Sequence, residues 1–261
     1  MTAEDVVETI LTGLELDRLD ETVDTFKEGD PAAPVTGVVT TFMGTLAVLQ
    51  RAAKLGANFV ITHEPIYYGH HDETDWLQGH AVLEAKQRFI REHELVIWRF
   101  HDYWHRSEPD GILAGVTAQL GWEQWRDDEE PWLFHTPDIP LEQLASSVKE
   151  RLGARAVRVV GEPAMPCRGT ALMPGAPGER WQIEALARED VDVVVGGECR
   201  EWMTCEYVRD AIAAGMDKAL ILAGHCNSEE AGMERLADWL RPRVDGVPVE
   251  FVPASDPFRP A

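Results

Sequence analysis

The feature that most constrains this chain is an alternation, in which short β-branched runs recur between segments of helical period. Val35-Thr-Gly-Val-Val-Thr-Thr-Phe42 reads as a buried strand, and Asn58–Thr62 as a second. Between them, Thr45–Leu55 reads as an amphipathic helix ended at Gly56, where a left-handed cap is wanted. A helix over Ala81–His93 and a strand over Leu95–Phe100 follow. Strand, helix and strand at this spacing predict βαβ units and mostly parallel sheets. Upstream, Val6, Val7, Ile10, Leu11 and Leu14 give a helical period over Ala3–Leu16.

The middle of the chain is more broken. Asp127–Pro131 reads as an acidic turn, and Trp132-Leu-Phe134 leads into a proline-bounded loop to Pro140. A helix over Leu141–Leu152 and a strand over Ala156–Val160 come next, and four prolines then surround a short strand near Thr170–Met173. Alternation returns with helices over Trp181–Ala187, Glu201–Ala214 and Ser228–Leu240, and with strands over Val191–Val195, Ala219–Leu222 and Val247–Val252. The expected organisation is an N-terminal α/β lobe over 1–122 and a C-terminal α/β lobe over 123–261, or one continuous domain.

Charge narrows the function classes. Forty-six acidic against 24 basic residues leave a net charge of −22, a field that repels phosphate backbones and argues against nucleic-acid binding. The same field attracts cations. Cys167, Cys199, Cys205 and Cys226 form no C-x-x-C pair and read as reduced thiols. The acidic N-terminus lacks the pattern of a signal peptide, and no apolar run approaches the ~20 residues that span a bilayer. The expectation is a cytoplasmic chain without a membrane partner.

The chemistry gathers where the histidines fall. His63 follows the strand ending at Thr62, His101 and His105 follow the strand ending at Phe100, and His225 follows Ala219–Leu222. The C-terminal edge of a parallel sheet is where ligands bind. Carboxylates stand beside these imidazoles. Pro65 pushes Glu64 toward extended backbone next to His63, and a cap at Asn227 or Ser228 puts Glu229 in the first turn of a helix, close to His225. Gly224 lets the chain bend just before that helix. One imidazole from each of these three strand ends and two carboxylates exceed one open tetrahedral zinc site and suit two ions about 3.5–4 Å apart. His70, His71, His80, His93 and His135 lack this context, and Gly196-Gly197 lacks the spacing of a phosphate loop.

The stretches Thr36–Thr40, Asn58–Pro65, Val194–Glu198 and Leu222–Glu229, with the ending Pro248–Pro253, resemble the Nif-three-like dinuclear metal-centre proteins, also labelled GTP cyclohydrolase type I, type two, homologues. The resemblance spans most of the chain. It implies two related α/β lobes with mostly parallel sheets, a metal site in the cleft between them, and assembly as ring-shaped homohexamers. Carried over residue by residue, it gives the ligand set His63, Glu64, His105, His225 and Glu229. The family has two histidines before the proline where this chain has His63-Glu64, and an Asp where it has His105. Glu64 and His105 thus read as a compensated exchange that keeps the ligand charge, with Asp102 the competing ligand in that segment. His101 matches the family's non-ligand histidine, and it is assigned with Glu198 to proton transfer or substrate contact. Implied with these are two divalent ions, of zinc, iron, manganese or nickel. The activity expected is hydrolysis of a nucleotide or phosphoester-type small molecule by metal-activated water. The alternative is a non-catalytic, metal-binding regulatory or interaction protein.

Overall fold

The central parallel runs of the sequence are mostly apolar or β-branched because they are buried on both faces. In the computed structural model, which describes residues 1–259, the chain folds into two compact units. One comprises Met1–Ile112 with Gly232–Ala254, and the other Leu113–Ala231 with the segment from Ser255. The return of the C-terminal segment into the first unit is not apparent from sequence order.

The first unit contains α1 (Ala3–Gly13), β1 (Phe26–Glu28), β2 (Val38–Met43), α2 (Leu46–Lys54), β3 (Phe59–Glu64), α3 (Ala81–Glu92), β4 (Val96–Arg99) and α4 (Asp102–Arg106). Helix α5 (Gly111–Leu120) then leads into the second unit, which holds β5 (Leu133–Pro140), α6 (Leu141–Arg151), β6 (Arg158–Val160), β7 (Pro166–Met173), α7 (Glu179–Leu186), β8 (Val193–Gly196), α8 (Glu206–Ala213) and β9 (Ala219–Leu222). Helix α9 (His225–Leu240) carries the chain back, and β10 (Val249–Phe251) completes the first sheet.

That first sheet has the order β1-β4-β3-β2-β10, parallel except for β1. Successive strand residues point to opposite faces. Val38, Phe59, Ile61, Val96 and Trp98 accordingly pack with α1 and the C-terminal half of α9, whereas Val39, Val60 and Ile97 pack with α2 and α3. The second sheet repeats the scheme in the order β5-β7-β8-β9-β6, with β7, β8 and β9 parallel and antiparallel strands at both edges. Leu172, Val193, Val195 and Ile221 face α5 and α6, and Ala171, Val194 and Leu220 face α7 and α8. The expected α/β class and mostly parallel sheets are what the structure shows.

Four local differences from the sequence reading have physical causes. The segment read as a proline-bounded loop is β5, which tolerates Pro137 and Pro140 because it lies at a sheet edge, where an N–H is not needed on the outer side. Strand β3 runs on through His63 and Glu64, since Glu64 still pairs with Met43 of β2. Helix α9 begins at His225, three residues earlier than expected. The single helix expected over 201–214 is a π-helical turn, Glu201–Cys205, followed by α8.

Lys86, on α3, is only 4% exposed and donates to the Ile66 carbonyl. Burial pushes its ammonium down to about 8 from 10.5. Below pH 8 the folded and unfolded chains are both protonated, and the full desolvation cost is present. Between pH 8 and 10.5 the unfolded chain binds more protons, so stability rises with pH, by about 3 kcal/mol if the whole shift is expressed. Urea unfolding across that range is expected to show a rise in the native protein that is missing from Lys86→Met. Parallel curves for the two proteins would contradict this.

Candidate metal centre

In the first unit, three imidazoles converge at the C-terminal ends of β3 and β4. His63, on β3, is fully buried. Its ring stacks on His101 at 4.6 Å and meets His105 edge-on at 5.0 Å, while the His101 and His105 rings lie 4.8 Å apart. One ligand-capable atom from each of the three lies within 4.8 Å of the others, so the trio could hold a metal ion.

How the rings are held decides what they offer. His63 Nδ1 lies 3.1 Å from the Phe100 carbonyl. A carbonyl only accepts, so Nδ1 carries the proton and Nε2 carries the lone pair. His101 Nδ1 is 2.9 Å from Asp102 Oδ1, and His105 Nδ1 is 3.0 Å from Asp110 Oδ2, which fixes the same tautomer in both. Imidazoles oriented through Nδ1 by a carbonyl or carboxylate are typical of metal-binding histidines.

The segment bearing His101 and His105 is itself anchored. Asp24, from the loop before β1, accepts from the backbone N–H groups of His101 (2.7 Å), Asp102 (3.1 Å) and Tyr103 (2.9 Å), and so caps the start of α4. Burial raises the Asp24 carboxyl, and these three bonds oppose the rise. Asp102 uses Oδ1 on His101 and Oδ2 on the Thr22 hydroxyl and the Val23 N–H. Burial alone would raise its carboxyl, but the bonds from His101, Thr22 and Val23 prevail and hold it below the usual value. Asp102, the competing ligand of the sequence reading, therefore orients His101.

Glu64 sits at the edge of the cluster, with Oε1 3.8 Å from His101 Nε2 and Oε2 3.6 Å from Arg99 Nη2. Arg99 has no exposed surface. Its Nε donates to the His63 carbonyl at 3.1 Å and its Nη1 to the His70 carbonyl. One buried cation thus fastens the exit of β3 and balances the Glu64 carboxylate. The His70 ring lies 6.2 Å from His101, closer than its lack of sequence context suggested.

In the second unit, His225 opens α9, so Glu229 lies one turn along the same face. His225 Nε2 is 3.2 Å from Glu229 Oε2, and Nδ1 is 3.4 Å from Glu198 Oε1. The Glu229 side chain is 4% exposed and that of Glu198 56%. The exits of β7, β8 and β9 knit together around this pair. Gly175 N–H donates to Ser228 Oγ at 2.9 Å, Glu198 N–H to the Gly175 carbonyl at 3.0 Å, and Gly224 N–H to the Gly197 carbonyl at 3.0 Å. Gly175 has φ +63°, and a Cβ there would stand 1.9 Å from Glu229 Oε1 and 3.0 Å from His225 Nε2. Backbone therefore lies directly against the carboxylate and imidazole, leaving a cradle that any side chain would fill.

Of the expected site residues, the structure groups His63, Glu64, His101 and His105 on the first unit, and Glu198, His225 and Glu229 on the second. Sequence reasoning missed Arg99, Asp24, Asp110 and Gly175. Asp110 follows His105 by five residues, a weak local signal, and the other three act from distant segments. Nitrogen and carboxylate donors with fixed tautomers fit a divalent transition-metal ion. The four thiols stand outside these groups.

Among the described residues, no helix is long and apolar enough to cross a membrane. The chain is 26% identical, over 225 residues, to the GTP cyclohydrolase 1 type 2 homolog of Escherichia coli (strain K12), covering 85% of this chain and 86% of that one. It is 22% identical, over 245 residues, to the protein of the same description from Clostridium perfringens (strain 13 / Type A), covering 88% of each. Among solved structures, the Bacillus cereus protein related to NIF3 superposes with a TM-score of 0.80 at 14% identity, over 100% of this chain and 99% of that one. The profile of one family matches residues 1–257. The chain belongs to the Duf34/NIF3 (NGG1p interacting factor 3) family.

Proposed function

We propose that this chain is a metal-dependent hydrolase of a nucleotide or another small phosphoester, with a dinuclear centre held by His63, Glu64, His105, His225 and Glu229. The observation that carries this reading is the convergence of His63 and His105, each oriented through Nδ1, with His101 held beside them, so that one ligand-capable atom of each ring lies within 4.8 Å of the others. Divalent ions bound to such a set supply Lewis-acid polarisation of the scissile bond and a water acidified toward neutral pH. The imidazole and carboxylate donors suit zinc, iron, manganese or nickel.

The chain's own residues divide the remaining work. His101, oriented by Asp102, takes up or releases a proton at Nε2, and the neighbouring carboxylate stabilises the imidazolium. Glu198, more than half exposed and facing His225 Nδ1, exchanges protons with solvent or accepts a hydrogen bond from substrate. Arg99 pairs with Glu64 while that carboxylate lies near His101.

The test is turnover by metal-reconstituted protein on a panel of GTP, nucleoside monophosphates and an aryl phosphodiester. GTP is included because the E. coli and C. perfringens relatives carry its name. One class is expected to be hydrolysed only with added metal. His101→Gln is expected to lower the rate about 10²–10⁴-fold, the usual span for a general acid or base. Metal-loaded protein that turns over none of these contradicts the proposal.

A further inference from the structure

The hydrolytic reading leaves two thiols unused. Cys199 follows Glu198 at the exit of β8, and Cys205 ends the π-helical turn that precedes α8. Six residues apart, they would not share a face of an α-helix. The bend from the strand exit into the π turn nonetheless brings their Sγ atoms to 3.6 Å, in a partly buried contact. Such turns concentrate at functional positions. Cys167 and Cys226, by contrast, are buried singly elsewhere.

We infer that Cys199 and Cys205 are a reversible oxidation site, closing to an intramolecular disulfide when a hydroperoxide reaches them. Closure brings the sulfurs from 3.6 Å to about 2.05 Å, a distance that side-chain rotation and a small adjustment of the turn cover. Burial, reinforced by the hydrogen bond it shares with Cys205, pushes the Cys199 thiol up to about 12, which disfavours Cys199 as the sulfur that meets the peroxide first. The Cys205 thiolate takes the terminal oxygen of the hydroperoxide, becoming a sulfenic acid as the O–O bond breaks and the peroxide is reduced to water or an alcohol. Cys199 then attacks the Cys205 sulfur, its S–H proton leaves with the sulfenic hydroxyl as water, and the S–S bond forms. Two thiols are oxidised by two electrons, and one peroxide is reduced. The cross-link ties the segment bearing Glu198, which faces His225, to the start of α8.

Cleavage after Arg188, Arg200 and Arg209 places the two cysteines on separate peptides, 189–200 and 201–209. The experiment treats native protein with hydrogen peroxide in roughly tenfold excess, quenches the peroxide, denatures in the presence of iodoacetamide, digests with trypsin and maps the peptides. The expected product is 189–200 joined to 201–209, about 2 Da lighter than the two reduced peptides together and parted by a phosphine reductant. Cys167 and Cys226 stay alkylatable after denaturation, and Cys205→Ser gives no cross-link. If that variant does not fold, the map of the native protein alone decides. The inference is overturned if Cys199 and Cys205 stay alkylatable, if each oxidises separately to sulfinic acid, or if either pairs with Cys167 or Cys226.

Discussion

Replacing Arg99 by methionine is expected to cost about 3–5 kcal/mol of stability, as breaking a buried ion pair does when the partner charge stays behind. Three losses coincide. The Glu64 carboxylate keeps its charge without the guanidinium 3.6 Å away, and the His63 and His70 carbonyls lose their Arg99 donors, at roughly 1 kcal/mol or more each. Methionine fills the volume, so a cavity contributes little. The cost should shrink in a Glu64→Gln background, because no orphaned charge is then created. That double-mutant cycle separates the ion pair from the two carbonyl bonds. Urea midpoints of the four proteins measure it, and an Arg99→Met variant within about 0.5 kcal/mol of the native protein would contradict the assignment.

The second large effect concerns the smallest residue at the site. Gly175→Ala is expected to weaken metal binding about 10–100-fold, the range seen when groups supporting metal ligands are disturbed. The new Cβ would stand 1.9 Å from Glu229 Oε1, and φ +63° is a conformation that alanine adopts only under strain. The carboxylate has to move, and His225, 3.2 Å from it, loses its orientation. Thermal melts with and without added zinc or manganese read this directly. Native protein should gain stability on adding metal, as any ligand of the folded state confers, and Gly175→Ala should gain far less. An equal gain in both would show that the Gly175 cradle plays no part.

Much of this was legible in the chain. The parallel strands were visible because two-sided burial leaves continuous apolar or β-branched runs such as Val38–Phe42 and Val193–Val195. The strand-end histidines were visible because parallel sheets place such positions on one edge. Strand β5 was hidden by its prolines, which an edge position permits. Asp24 and Arg99 were hidden for another reason. Asp24 caps a helix that begins 78 residues later, and Arg99 reads as part of an apolar strand until the burial of its guanidinium is seen. Long-range polar contacts of this kind leave no local period. The Cys199–Cys205 contact was hidden likewise, since it depends on a π turn where the spacing predicts α-helix.

The central claim is that the histidine and glutamate sets of this chain hold metal. Elemental analysis per chain, on native protein beside His63→Ala and His225→Ala, tests it most directly. The account predicts close to two divalent ions per native chain after reconstitution, and a sharp drop in both variants. Native protein that takes up no metal, or variants that retain the full complement, would contradict it.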